Sequence, residues 1–192
     1  FAEFLHNQWG MKTVRQVVSG RRIEDKQAAE ILGAKARHFD FLDCIYRQGQ
    51  NGDWLYFSIF VEPLPGEADL PDRIASAISA RLKPDDELIC QLGVGSHVDH
   101  VTVRRAAERL GRPLHFVADI PYLFDYRAQL KPKTAGMKKK VERVSRSGSR
   151  AWKEAVLAYQ SQIPMLFKSP ARARKALQEY CSNAGGVPFW RK

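Results

Sequence analysis

The chain has 192 residues, of which 44% are hydrophobic and 27% are charged. This length suits one domain with its own core, and the composition excludes a mainly disordered or collagen-like chain. No run of about 18 apolar residues occurs, so we expect no membrane-spanning helix. The sequence therefore predicts a single globular domain over residues 1–192.

The chain is basic, with 31 Lys and Arg against 21 Asp and Glu, which gives a formal charge of +10. Much of the excess lies between Lys131 and Arg150, a stretch without aromatic residues. Such a stretch is either a solvated loop or helix start, or a patch that steers an anionic substrate. Because it lacks stacking platforms for bases, we expect no nucleic acid partner.

The three cysteines, Cys44, Cys90 and Cys181, are far apart and form no Cys-x-x-Cys pair. Neither a zinc ribbon nor a redox dithiol is therefore indicated. Each cysteine has apolar neighbours, which predicts small buried side chains. A reducing, cytoplasmic compartment fits this usage best.

The hydrophobic pattern alternates between helical spacing and short apolar runs typical of buried strands. Gly33 and Gly111 stand where helix C-caps are expected. The predicted elements are a helix at 22–33, a strand followed by a loop at 38–46, a strand or aromatic helical turn at 54–60, a helix at 72–82, a strand at 87–95, a helix at 100–111, a strand at 113–119, and two helices within 150–185. This alternation predicts an α/β fold with a mainly parallel sheet flanked by helices.

The most suggestive cluster, Gly93-Val94-Gly95-Ser96-His97-Val98-Asp99-His100, follows the strand predicted at 87–95. Ligands of parallel sheets bind at the carboxyl ends of strands. One imidazole can bind a metal while the other handles protons, and Asp99 can fix a tautomer. The alternative is that these side chains only cap and pack the following helix. The segment alone supplies too few ligands for a zinc site.

Five segments in this order carry a resemblance to a known family. They are RRIEDKQAAEILGA (21–34), FDFLDCIYR (39–47), LGVGSHVDHVTVRRAAERLG (92–111), DIPY (119–122) and AYQSQ (158–162). Together they resemble the PIG-L/LmbE-like family of zinc-dependent N-deacetylases, over essentially the whole chain. The resemblance implies a Rossmann-like sheet, one zinc per complete chain, and hydrolysis of an N-acetyl or similar acyl group from an amino sugar or sugar conjugate.

The resemblance also implies roles for individual residues. His100 matches the zinc ligand, and His97 matches the second catalytic group, with Asp99 orienting it. Arg21 matches the substrate-binding arginine, although Arg22 is a close rival in the alignment. Gly95 stands where some members have a tyrosine that assists the oxyanion.

Asp43 is a further candidate for a substrate-binding residue, and its position in the sequence is the basis for this hypothesis. It follows an apolar run, so its carboxylate could face the substrate cleft. Capping a turn is the alternative role of an aspartate there.

The family's upstream His-Pro-Asp-Asp loop, which supplies the other zinc ligands and the general base, does not occur in these residues. Lys83-Pro84-Asp85-Asp86 resembles it, but an ammonium repels a dication, and a turn explains this sequence. Because the chain begins at Phe1, we expect an N-terminal truncation that removes the first strand and this loop. The chain as it stands is then expected to bind zinc poorly.

Two other classes of function remain open. One is a non-catalytic module that binds anionic glycans or nucleic acids, which the net charge favours. The other is a glycosyltransferase or a nucleotide-binding Rossmann protein, although Gly93-Val94-Gly95 lacks the third glycine of the usual fingerprint. The family resemblance implies a small-molecule or sugar-conjugate amide as the substrate, and the sequence indicates no particular oligomeric state.

Overall fold

A computed structural model describes all residues of the chain, from Phe1 to Lys192. The contacts within it define two compact units. The first comprises Phe1–His38 and Val141–Val187, and the second comprises Phe39–Lys140 and Pro188–Lys192. The single domain expected over 1–192 stays a prediction.

The elements alternate between helices and strands along much of the chain. The helices are α1 (Ala2–Gln8), α2 (Val14–Ile31), α3 (Leu70–Ser79), α4 (Val98–Arg109), α5 (Tyr122–Asp125), α6 (Leu130–Lys133), α7 (Arg146–Leu157), α8 (Ile163–Phe167) and α9 (Pro170–Ala184). The strands are β1 (Leu88–Gln91), β2 (Leu114–Val117), β3 (Lys138–Glu142) and β4 (Val187–Arg191). None of the helices is both long enough and apolar enough to cross a lipid bilayer.

The first unit is helical, with α2 packed on α7 and with α9 packed on both α7 and α8. The predicted helix at 22–33 is confirmed as the second half of α2. The helix begins earlier because Thr13 and Gln16 form a capping box, in which each side chain accepts the other residue's backbone N–H at 3.2 Å. It ends at Ile31, just before Gly33.

Two helices predicted in the C-terminal third are confirmed as α7 and α9, with the short α8 between them. Ser145 caps α7, because its Oγ accepts the Gly148 N–H at 3.0 Å. Ser169 caps α9 in the same way, and Pro170 occupies its first turn.

The second unit contains the sheet, whose strand order is β1-β2-β4-β3. Strands β1 and β2 pair in parallel from Leu88↔Leu114 to Gln91↔Val117. Strand β4 joins β2 in the antiparallel direction, with Phe116 opposite Trp190. The expected α/β class is confirmed, and the strands predicted at 87–95 and 113–119 are present in shorter form.

Strands β3 and β4 were not predicted. One interpretation of the sequence makes the lysines of β3 part of a solvated loop or helix start. Their side chains are exposed. Strand β3 lies at the edge of the sheet, where lysines oppose pairing with another chain. The basic stretch thus contributes an edge strand as well as the start of α7.

The strand predicted at 38–46 is wrong. Asp43 accepts the Ile45 N–H at 3.3 Å and so caps a 3₁₀ turn at Cys44–Tyr46. The turn buries its apolar side chains without a partner strand. The segment 54–60 forms neither alternative predicted for it, and its one β contact is an isolated bridge between Gln48 and Trp54.

Helices α3 and α4 confirm the predictions at 72–82 and 100–111, and they pack against each other in the second unit. Their contact is a small apolar cluster formed by Leu70, Ile74, Ala75 and Ala106. Burial of this cluster fixes α4 in place, and α4 carries the histidines of interest on its first turn.

Candidate active site

The loop that joins β1 to α4 brings the histidine segment to the carboxyl end of the sheet. Leu92, Val94 and Val98 are completely buried and anchor both sides of the loop. Gly95 has a φ of +87°, and a Cβ there would lie 2.9 Å from Cβ of Tyr122. The loop therefore needs glycine at this position, both for its backbone conformation and for space.

His97 is the N-cap of α4. Its Nδ1 accepts the backbone N–H of Asp99 at 3.2 Å. An imidazole nitrogen that accepts a hydrogen bond carries no proton. In its neutral form, His97 therefore carries its proton on Nε2 and can donate from there.

His100 lies one turn further along α4, and its two ring nitrogens have the opposite donor and acceptor roles. Its Nδ1 lies 2.7 Å from Oδ1 of Asp119, whose side chain is completely buried. The other carboxylate oxygen of Asp119 accepts the Val94 N–H at 2.8 Å. Because Nδ1 donates to this carboxylate, the lone pair of His100 is on Nε2.

The two imidazole rings are stacked, with centroids 4.7 Å apart and an interplanar angle of 23°. Their hydrogen-bond partners fix different tautomers, so one ring offers an N–H and its neighbour offers a lone pair. This is the combination that a metal-dependent hydrolase needs from a histidine pair: one ligand and one proton donor.

The carboxylate of Asp99 is held by the 3₁₀ turn and by the residue that follows it. Its Oδ2 accepts the Cys44 N–H at 3.0 Å, and its Oδ1 pairs with Nη2 of Arg47 at 2.7 Å. Burial raises the pKa of Asp99, the nearby Asp43 carboxylate raises it further, and Arg47 opposes both. Asp43 thus lies beside the histidine segment, and its role toward substrate stays a prediction, as does the orienting role of Asp99.

Arg47 is itself buried and bridges two acids. Its Nε lies 3.0 Å from Oε1 of Glu67, and its guanidinium lies over the ring of Tyr56. The Tyr56 hydroxyl donates to the same Glu67 carboxylate. No local sequence pattern indicates this network, because it connects residues up to 52 positions apart.

We expect Arg47→Leu to lower the free energy of unfolding by about 3 kcal/mol, because it leaves the largely buried carboxylate of Glu67 and the partly buried carboxylate of Asp99 without their cation. Urea denaturation measures the loss. The matched control is Arg105→Leu, which breaks an exposed pair with Glu62 and is expected to cost less than about 1 kcal/mol. Equal losses in the two variants would contradict a structural role for the buried network.

Residues Cys44, His97 and Asp99 bring their potential ligand atoms within 4.8 Å of one another. The trio is a poor metal site, however. Burial raises the pKa of the Cys44 thiol, and the Asp99 and Asp43 carboxylates add to this effect, so the thiolate is disfavoured. His100 fits a metal better, since a carboxylate on the far nitrogen is the usual support of a ligating histidine.

Aromatic side chains line the histidine pair. The Tyr122 ring centroid lies 5.5 Å from that of His100 and 6.1 Å from that of His97. Phe60 meets His97 edge-on and also contacts Tyr126, while 42% of its own surface stays exposed. The site therefore has an apolar, partly open wall next to its polar groups.

Arg21 belongs to the first unit, on α2, with its guanidinium 5.3 Å from the centroid of the Trp9 ring. Its substrate-binding role stays a prediction. The turn expected at Lys83–Asp86 is confirmed, because the Lys83 N–H donates to the Asp86 carboxylate at 2.8 Å.

Asp119 is the important residue that sequence reasoning missed. It directly follows the apolar run of β2, just as the histidine segment follows β1. Because parallel neighbours end at the same edge of a sheet, this position was a usable signal. The three cysteines are free and buried, as predicted.

No family model matches the chain, and no relative is found among curated proteins. Solved structures do match it. A zinc-inhibited form of the teicoplanin deacetylase Orf2 is 25% identical, with a TM-score of 0.82 over 99% of this chain and 79% of that one. A deacetylase–bog complex from teicoplanin biosynthesis is 26% identical, with a TM-score of 0.82 over 99% of this chain and 78% of that one.

A third similar structure is the A40926 pseudoaglycone deacetylase Dbv21. It is 24% identical, with a TM-score of 0.73 over 99% of this chain and 76% of that one, and it supports the fold alone. The chain is thus similar in structure, over nearly its whole length, to deacetylases of teicoplanin biosynthesis.

Proposed function

We propose that the protein is a metal-dependent hydrolase that removes an N-acetyl or similar acyl group from an amino sugar or sugar conjugate. The observation that carries this proposal is the stacked His97–His100 pair with opposite tautomers. The similarity to the teicoplanin deacetylase structures supports the same reaction class. Within that class, the PIG-L/LmbE-like resemblance of the sequence is the basis for naming zinc as the metal.

His100 is the proposed metal ligand, through Nε2. Asp119 holds the ring from the other side and keeps the proton on Nδ1. When bound, a divalent metal polarises the amide carbonyl and makes a bound water more acidic. The loop His-Pro-Asp-Asp, which carries further ligands in the family, does not occur among these 192 residues. A polypeptide of these residues alone is therefore expected to bind zinc weakly.

His97 is the proposed proton donor to the leaving nitrogen. The Asp99 backbone N–H occupies Nδ1 and so directs the acidic proton to Nε2. As the amide C–N bond breaks, the nitrogen takes this proton and departs as the amine. The acyl carbon keeps the hydroxyl of the water, and the other proton of the water restores the Nε2–H of His97. Asp99 and Arg47 fix the start of α4, and so the position of the ring.

Substrate contacts are proposed for Asp43 and Arg21. Asp43 lies close to Asp99, whose carboxylate accepts the N–H of the next residue, Cys44. The exposed Phe60 offers a face for a sugar ring or an apolar aglycone. The free cysteines are consistent with a reducing compartment such as the cytoplasm.

We expect Asp119→Asn to weaken metal binding by about 10- to 100-fold, because the amide carries no charge and no longer fixes the His100 tautomer. Competition with a chromophoric chelator measures the affinity of the complete gene product. Glu108→Gln is the control, since this acid pairs with Lys192 and Arg104 on the far end of α4. An unchanged affinity in Asp119→Asn would exclude the supporting role.

Release of acetate by the complete gene product tests the proposed reaction. Purified protein with one equivalent of Zn²⁺ is incubated with a panel of N-acetylglucosaminyl compounds that differ in their aglycone, and free acetate is followed by proton NMR. We expect turnover of at least one compound by the wild type and by His115→Gln, which changes a histidine in the middle of β2. Inactivity across the panel would contradict a deacetylase function.

A further inference from the structure

An open cleft of about 750 Å³ lies within the first unit, lined by residues of α7 from Arg146 to Glu154 and of α9 from Arg174 to Ser182. The segment Arg143–Ser145 and the glycines Gly185 and Gly186 also line it. Every lining residue belongs to the first unit. The volume is that of a small-molecule site, and neither the sequence motifs nor the proposed hydrolysis accounts for it.

Five cationic side chains line this cleft, against a single carboxylate. They are Arg143, Arg146, Arg150, Lys153 and Arg174. The carboxylate, Glu154, is already engaged by both terminal nitrogens of Arg174. Arg150 and Lys153 also attract this carboxylate, so one negative charge is set against five positive charges in the cleft.

Three of these cations form one stripe on α7. Arg146, Arg150 and Lys153 follow each other at spacings of four and three residues, which places them on the same face of the helix. Like charges at this spacing destabilise a helix. A ligand with several negative charges would relieve this repulsion, whereas a neutral ligand would not.

The remaining lining groups favour a phosphate over a nucleic acid. Ser149 and Ser182 add hydroxyls, and Lys153 is held by Gln178 at 2.8 Å. No aromatic residue lines the cleft, so it has no platform for stacking bases. Arginine forks bind phosphate oxygens in pairs, and three of them converge here.

We propose that this cleft binds a small molecule carrying a phosphate or diphosphate group, held by Arg143, Arg146 and Arg150. The apolar part of the lining, which includes Cys181, then faces the rest of the ligand. The site is independent of the proposed deacetylation, because it uses none of the same residues. The proposed site also assigns a function to the C-terminal part of the basic stretch between Lys131 and Arg150.

Calorimetric titration with inorganic pyrophosphate tests the site. We expect saturable binding of about one pyrophosphate per chain, weakened at least tenfold in the double variant Arg146→Gln/Arg150→Gln, since each lost charge-assisted contact costs about tenfold or more. The matched control, Arg172→Gln/Lys175→Gln, removes the same charge from exposed positions of α9 outside the cleft. The affinity of this control variant for pyrophosphate is expected to change less than twofold.

A second variant distinguishes the contribution of the planar guanidinium group from that of its positive charge. Arg150→Lys keeps the charge and the helix propensity, so the chain folds as before, and we expect pyrophosphate to bind severalfold more weakly. Absence of saturable binding to the wild type would overturn the proposal. Equal weakening in the two double variants would also overturn it, by assigning the effect to net charge. Tight binding of single-stranded DNA that is lost in Arg146→Gln/Arg150→Gln and kept in Arg172→Gln/Lys175→Gln would overturn it in favour of a nucleic acid.

Discussion

His100→Gln is expected to remove the bound metal from the complete gene product and to lower kcat/KM for deacetylation by about a thousandfold or more. The metal's share of transition-state stabilisation is several kcal/mol, and each 1.4 kcal/mol corresponds to a factor of ten. Glutamine keeps the polarity and most of the volume of histidine but offers no imidazole lone pair. Metal content by atomic emission and acetate release by NMR give the two readouts.

His115→Gln is the control for this variant, because it makes the same change at a histidine on β2. We expect it to retain about one metal per chain and the activity of the wild type. Full metal occupancy in His100→Gln would show that the ligand has been assigned to the wrong histidine.

For His97, the expected loss is in the chemical step alone. We expect His97→Asn to lower kcat by about 10²- to 10⁴-fold, the usual contribution of a general acid, with metal content and KM nearly unchanged. Asparagine is chosen because it is a good N-cap and still accepts the Asp99 N–H, so α4 keeps its start. Steady-state kinetics on the best substrate of the panel measures both parameters.

His97→Ala serves as the comparison, since it removes the cap as well as the acid. It should lose the same activity as His97→Asn and in addition about 1 kcal/mol of the free energy of unfolding. A His97→Asn variant that keeps wild-type kcat, or that loses its metal, would contradict the role of His97 as proton donor.

The local parts of this site could be predicted from the sequence. Strand β1, the glycine-containing turn and α4 each have a local signature, and the cluster from His97 to His100 stands between them. These signatures depend only on residues close together in the sequence. They are enough to identify the two imidazoles and to place them at the end of a strand.

The partners of these imidazoles could not be identified in the same way. Asp119 reaches His100 across 19 positions of sequence, and Arg47 reaches Asp99 across 52. Such contacts depend on which strands are neighbours and on how a loop returns to the sheet. The alternation of helices and strands does favour β1 and β2 as parallel neighbours. That pairing places Asp119, which follows β2, beside the histidine segment, which follows β1.

The errors in the fold have the same origin. Residues 38–46 have the apolar content of a strand, but Asp43 caps a turn there and no partner strand is available. Strand β3 reads as solvated because its lysines face water at the edge of the sheet, although its backbone pairs. In both cases the availability of a neighbouring strand decided the outcome, and this is not a local property.

Long-range ¹H–¹⁵N NMR of the imidazole rings tests whether His97 and His100 hold opposite tautomers, which the proposed roles of the two residues require. At a pH where both rings are neutral, we predict the Nε2–H tautomer for His97 and the Nδ1–H tautomer for His100, the latter shifting to Nε2–H in Asp119→Ala. Finding the same tautomer in both rings would contradict the division of labour between a metal ligand and a proton donor.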